Sequence, residues 1–228
     1  MVLEKNILFV AGGKGLAVFD VTDPSNMTRL WKGETGVASC DCWPHIQLDQ
    51  QRKLLFFVGD KGLAVFNVND PHNPERVWKG ETGVIQHAGD RGKGADGGGG
   101  TIALAPGSKL AFVVGGGGLA SLDVSDPCTG VKILGKVDTH VCCYGSNGCV
   151  KLDPTGSAAF VAGPRGVAII DVTDPCAMVA KSKDKTGVQS GRMGGGNDYI
   201  DFHGGYSYIG GGWGLAVCQL EELEMLSF

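Results

Sequence analysis

The stretch KGLAVFDVTDPSN, from Lys14 to Asn26, returns as KGLAVFNVNDPHN (Lys61 to Asn73), GGLASLDVSDPCT (Gly117 to Thr129) and RGVAIIDVTDPCA (Arg165 to Ala177). A fifth copy, WGLAVCQLEELEM (Trp213 to Met225), keeps the opening and loses the Asp-Pro ending. The glycines that open the copies are Gly15, Gly62, Gly118, Gly166 and Gly214, so the spacings are 47, 56, 48 and 48 residues. A strand-rich unit with a period of roughly 40–50 residues cannot bury its apolar faces alone and must stack on its neighbours, which is the logic of a propeller blade. The expected fold is all-β: a five-bladed β-propeller of repeats of about 48 residues, one domain over residues 1–228.

Four strands can be placed in each period. An inner strand reads HIQLDQ (His45 to Gln50), TIALAP (Thr101 to Pro106), CVKLDP (Cys149 to Pro154) and YIDFHG (Tyr199 to Gly204), each with two-residue alternation. No inner strand is evident before Asn6 in the first repeat. The second strand (ILFVAGG, LLFFVGD, LAFVVGG, AAFVAGP, SYIGGG) and the third, the opening motif, are apolar at nearly every position. That pattern suits middle strands covered on both faces. The fourth strand follows the Asp-Pro turn, as in TRLWKGETGV and ERVWKGETGV, and is polar enough for an outer edge. Asp20, Asn67, Asp123 and Asp171 recur inside the motif, and Asp49, Asp153 and Asp201 near the far end of inner strands; both sets are expected to serve turns.

Composition excludes some partners. Glycine reaches 39 of 228 residues, charged residues are 19%, and the net charge is −4. A mildly acidic chain without a basic cluster is a poor nucleic-acid binder. No apolar run approaches the roughly 18 residues of a membrane-spanning helix. The N-terminus lacks the basic and long apolar regions of a signal peptide, although a start so close to the first strand is compatible with a leader or part of a blade lying outside residues 1–228. Compartment is not encoded in these features.

The pattern G-L/V-A-V/I-F/I-D-V-T/S-D-P, preceded by LFVAGG, resembles the LVIVD repeat, over nearly the whole chain. The resemblance implies a β-propeller and implies no catalytic residues.

In a four-stranded meander the loops entering each inner strand share a face with the glycine turns. That face carries Ser39 to Pro44, Gln86 to Gly100, His140 to Gly148 and Gln189 to Asn197, whereas the opposite face has only short turns. Residues that break the repeat are the candidate binding set: His87, Asp90, Arg91, His140, Tyr144, Arg192 and Trp213. Cys40, Cys42 and His45, and separately His140, Cys142, Cys143 and Cys149, offer soft ligands at close spacing. Neither group matches paired C-x-x-C knuckles, so free thiols are expected and neither a metal nor a cofactor, with a disulfide within or between these loops, or a metal site on them, as the alternatives. Cys128 and Cys176 sit at one repeat position, too far apart for a disulfide, and Cys218 falls at a core position. No G-x-S-x-G or H-E-x-x-H occurs.

The expected function is a non-enzymatic binding or scaffold module that meets other proteins, as in a multi-subunit complex. The alternatives are an enzyme with a channel-mouth site, metal-assisted through His87, His140 and the loop cysteines, and a lectin-like ligand binder.

Overall fold

The computed structural model describes residues 1–38, 43–85, 99–107, 109–142, 148–184, 186–188 and 199–219. All the regular structure is antiparallel β, in five sheets whose strands follow chain order. Sheet 1 holds β1 (Val2–Glu4), β2 (Ile7–Gly12), β3 (Gly15–Asp20) and β4 (Thr28–Gly33). Sheet 2 holds β5 (His45–Asp49), β6 (Leu54–Gly59), β7 (Gly62–Asn67) and β8 (Glu75–Gly80). Sheet 3 holds β9 (Thr101–Leu104), β10 (Leu110–Gly115), β11 (Gly118–Asp123) and β12 (Lys132–Val137). Sheet 4 holds β13 (Cys149–Leu152), β14 (Ala158–Gly163), β15 (Gly166–Asp171) and β16 (Val179–Asp184). Sheet 5 comprises β17 (Tyr199–His203), β18 (Tyr206–Gly211) and β19 (Gly214–Gln219) among the described residues.

Two expectations need correction. Sheet 1 does have an inner strand: β1 pairs with β2 through Leu3 and Leu8, and escaped notice because it is only three residues long. Asp201 is not in register with Asp49 and Asp153. Asp201 opposes Tyr208 as Lys151 opposes Phe160, so it occupies the position of Lys151 and Gln47. The residue of sheet 5 that matches Asp49 is His203.

The sheets pack face to face in sequence, and the two middle strands of each explain why. Leu55, Phe57, Ala64 and Phe66 of sheet 2 meet Phe9, Leu16 and Val18 of sheet 1. The alternate residues Phe56, Val58, Leu63 and Val65 turn the other way, onto Ala111, Val113, Ala120 and Leu122 of sheet 3. The same exchange joins sheet 3 to sheet 4 and sheet 4 to sheet 5. Burial on both faces requires a continuous apolar run, as seen at β6, where all six residues are buried. Below, the face towards the preceding sheet is called leading and the other trailing.

Outer strands β4, β8, β12 and β16 carry a register shift against their neighbours, at Val18/Phe19, Val65/Phe66, Ser121/Leu122 and Ile169/Ile170. A bulge repeated at one place bends each outer strand and twists the exposed edge away from further pairing. Trp31 stacks edge-on to Phe66 of the next sheet, with ring centroids 6.5 Å apart, and Trp78 packs at the junction of sheets 2 and 3.

The Asp-Pro endings are turns held by side chains. Asp20 Oδ1 accepts from the Thr22 backbone N–H at 2.8 Å and from its hydroxyl at 2.6 Å, and Asp123 and Asp171 repeat this with Ser125 and Thr173. These bonds hold all three carboxyls below the usual carboxylate range. Asn67 makes the same backbone bond from Asn69 at 3.0 Å, so an amide suffices. Asp123→Asn should therefore melt within about a degree of the parent, while Asp123→Ala melts a few degrees lower by calorimetry.

Candidate functional site

A second repeat sits at the exit of the outer strands. Thr35-Gly36-Val37, Thr82-Gly83-Val84 and Thr139-His140-Val141 are followed by Thr186-Gly187-Val188. The middle residues all have positive φ: 74° at Gly36, 71° at Gly83, 56° at His140 and 77° at Gly187. The three valines Val37, Val84 and Val141 are at most 1% exposed, as are the preceding threonines. Each valine carbonyl accepts a backbone hydrogen bond from the next sheet's glycine turn. The donors are Lys61 to Val37 (2.9 Å), Gly117 to Val84 (2.8 Å), Arg165 to Val141 (3.1 Å) and Trp213 to Val188 (2.9 Å). The glycine just before each turn makes room: a Cβ on Gly59, Gly115 or Gly163 would lie 2.1, 2.6 or 2.5 Å from that carbonyl oxygen.

This exit clasp revises the reading of two candidates. The backbone of His140 follows the repeat while its side chain departs from it, because it replaces glycine at a left-handed turn, a conformation that is uncommon for other residues. Its backbone N–H donates to Asp138 Oδ1 at 2.7 Å, and its Nδ1 lies 3.0 Å from Asp138 Oδ2, on an exposed corner. Trp213 likewise contributes its backbone to a clasp, but its side chain is 70% exposed. Trp43, which enters β5 on the same face, is 67% exposed and was not singled out by its sequence context.

His87, Asp90, Arg91, Tyr144, Arg192, Cys40, Cys42 and Cys143 lie outside the described residues. Of the soft ligands that are described, Cys142 is buried in the core between sheets 3 and 4, and Cys149 packs between sheets 4 and 5. Cys128 and Cys176 are exposed thiols on separate turns, and Cys218 is a partly buried packing residue. Among the described residues no three His, Cys, Asp or Glu side chains group closely enough to hold a metal ion.

The inner strands form a second polar set. Their side chains reach across to the backbone of the next inner strand, whose edge would otherwise hold unpaired N–H groups. His45 Nδ1 accepts from Ile102 N at 3.4 Å, and Gln47 Oε1 from Leu104 N at 3.1 Å. Thr101 Oγ1 accepts from Val150 N at 2.8 Å and donates to the Gly148 carbonyl. Lys151 pairs with Asp201, and Lys53 with Glu4. Burial, reinforced by the positive N-terminus, depresses the His45 imidazole to about 4, so the ring is neutral and fit to accept that bond.

Two clefts adjoin these elements. One, of about 560 Å³, opens at the short-turn end and is lined by Gln47, Asp49, Pro106, Lys151 and Asp153 among others. Its carboxylates serve turns: Asp49 accepts from the backbone N–H of Gln51 and Arg52 and pairs with the Arg52 guanidinium. Asp153 accepts from Thr155 and from Ala158 N, and these bonds keep its acidity high although partial burial opposes them. The other cleft, of about 530 Å³, lies on the glycine-turn face between sheets 1 and 2, with Lys14, Lys32, Lys61 and Glu34 on its walls.

Stacked meander sheets joined by repeated clasps define an all-β protein of the propeller-like class. Within that class the chain carries LVIVD repeats: the family model described as LVIVD repeat matches residues 2–31 and 155–186. No curated protein matches the sequence. Among solved structures, a putative 6-phosphogluconolactonase from Bacteroides uniformis superposes with a TM-score of 0.68 at 15% identity, over 100% of this chain and 67% of its own. The periplasmic gluconolactonase of Pseudomonas aeruginosa gives 0.61 at 12% identity, over 92% and 63%. KlAtg21, solved with the coiled coil of AgAtg16, gives 0.57 at 13% identity, over 96% and 64%. At these identities the likeness is one of fold. The chain spans 63–67% of the length of these three structures. No helix among the described residues is long and apolar enough to cross a membrane.

Proposed function

We propose that residues 1–228 supply five blades of one β-propeller domain, acting as a non-enzymatic module that docks another protein on its glycine-turn face. The observation that carries this reading is the pair of exposed tryptophans, Trp43 and Trp213, on a face whose other repeated groups are committed to clasps. Large exposed aromatic residues are the usual anchors of an interface. The lysine-walled cleft on the same face, between sheets 1 and 2, suits acidic side chains of the partner.

An enzyme reading draws on the two lactonase-named structures of like fold. At the short-turn cleft Asp153 argues against it, since a general base needs a carboxyl raised towards neutrality and this one is shifted the other way. Tagged chain in extracts of its source cells should sediment well above its own 23.7 kDa. The double variant Trp43→Ala/Trp213→Ala should fall back towards that mass with its melting temperature unchanged. A parent chain that sediments alone, or purified protein that turns over gluconolactone or its 6-phosphate, overturns the proposal.

A further inference from the structure

Sheet 1 has a leading face built like those of sheets 2 to 4 and covered by nothing among the described residues. Leu8, Val10, Ala17 and Phe19 are each only partly buried. Their equivalents one repeat later, Leu55, Phe57, Ala64 and Phe66, are at most 2% exposed. Leu3, the cross-strand partner of Leu8, is 56% exposed.

Two backbone features repeat the message independently. A Cβ added at Gly12 would meet nothing within 4 Å, whereas at the equivalent Gly59 it would strike the Val37 carbonyl at 2.1 Å. Lys14 stands where Lys61, Gly117, Arg165 and Trp213 donate to the clasp, yet no clasp carbonyl of a described residue faces its N–H. Sheet 1 therefore has the apolar face, the small residue and the donor of a clasp, and among the described residues no acceptor meets them.

We propose that this face receives a blade of the same repeat type from outside residues 1–228, ending in a Thr-Gly-Val exit turn whose valine fills the site over Gly12 and whose carbonyl accepts from Lys14 N–H. Residues 220–228, in this chain or in a second copy, do not carry the sequence of the turn. Leu220 to Phe228 reads LEELEMLSF, with no threonine and no glycine for the left-handed position. The three like folds above extend beyond this chain by about a third of their length, which leaves space for additional sheets in the ring. The proposal rests on the blade reading of the fold and not on the tryptophan-bearing docking face, so either can fail alone.

The test compares the 228-residue protein with one in which a copy of residues 1–45 precedes Met1. That segment contains a complete Thr-Gly-Val exit and the native distance to the next inner strand. In the parent, the Lys14 amide should exchange with deuterium at least tenfold faster than those of Lys61 and Gly117. In the extended protein the original Lys14 amide should become as protected as they are, and 8-anilinonaphthalene-sulfonate fluorescence should fall. Gly12→Val should leave the parent's melting temperature unchanged and lower that of the extended protein, while Gly59→Val lowers both. A parent as sensitive to Gly12→Val as to Gly59→Val, a concentration-dependent dimer with Lys14 protected, or an extended protein with Lys14 still unprotected each overturns the proposal. Loss of the tryptophan-dependent complex would leave all of these readouts untouched.

Discussion

Gly62→Val is expected to cost about 4 kcal/mol or more of folding free energy, read by urea denaturation, because two separate penalties meet at one atom. Gly62 has φ at 120°, a region that L side chains rarely adopt. A Cβ there would also lie 2.3 Å from the Gly80 carbonyl oxygen, which is backbone at the end of the neighbouring outer strand and cannot rotate away. Gly15 and Gly118 repeat the geometry at 2.2 and 2.3 Å. A loss below about 1 kcal/mol would mean that the glycine turns are far softer than their packing implies.

The second large effect is a loss of stability on mild acidification. In the unfolded chain His45 titrates near 6.5, and in the fold near 4. Between those values the unfolded state binds more protons, so stability falls as pH drops through that window and is regained as pH rises above it. The full difference corresponds to about 3 kcal/mol between pH 7.5 and pH 4. Denaturation midpoints across that range should show the slope, and His45→Gln, which keeps an acceptor and cannot titrate, should flatten it. Below about pH 4 a further decline belongs to Asp20, Asp123, Asp153 and Asp171, whose lowered pKa values favour the fold only while the carboxylates are ionised.

How much of this was legible before the structure depends on which contacts a repeat can betray. The middle strands were readable because a residue buried on either face must be apolar, so β6 and β7 appear as unbroken runs. The Asp-Pro turns were readable because an Asx bond spans only two residues. The exit turn was present in four copies, three Thr-Gly-Val and one Thr-His-Val, yet its role depends on a carbonyl that acts on another sheet, and spacing alone does not say which donor comes to it. His140 consequently looked like an asymmetry and is a substituted turn glycine. Asp201 was misplaced by two residues because His203 breaks the Asp pattern and a neighbouring aspartate seemed to fill it. The inner-strand groups His45, Gln47 and Thr101 follow from the alternation once the apolar partners Ile46 and Ile102 are assigned to the core. The exposure of Trp43 is announced by no local pattern.

The clusters of buried side chains each join two neighbouring sheets, and those clusters run in series from sheet 1 to sheet 5. A chain of nearest-neighbour couplings behaves as a one-dimensional array, in which opening is cheapest at the ends. Native-state exchange should then be graded, with β6, β7, β10 and β11 opening last and the terminal sheets first. Damage in the middle acts differently from damage at an end: a core substitution such as Phe112→Ala weakens the coupling between sheets 3 and 4 and can separate one melting transition into two. Cooperativity in such a protein is set by its weakest link and not by the sum of its parts.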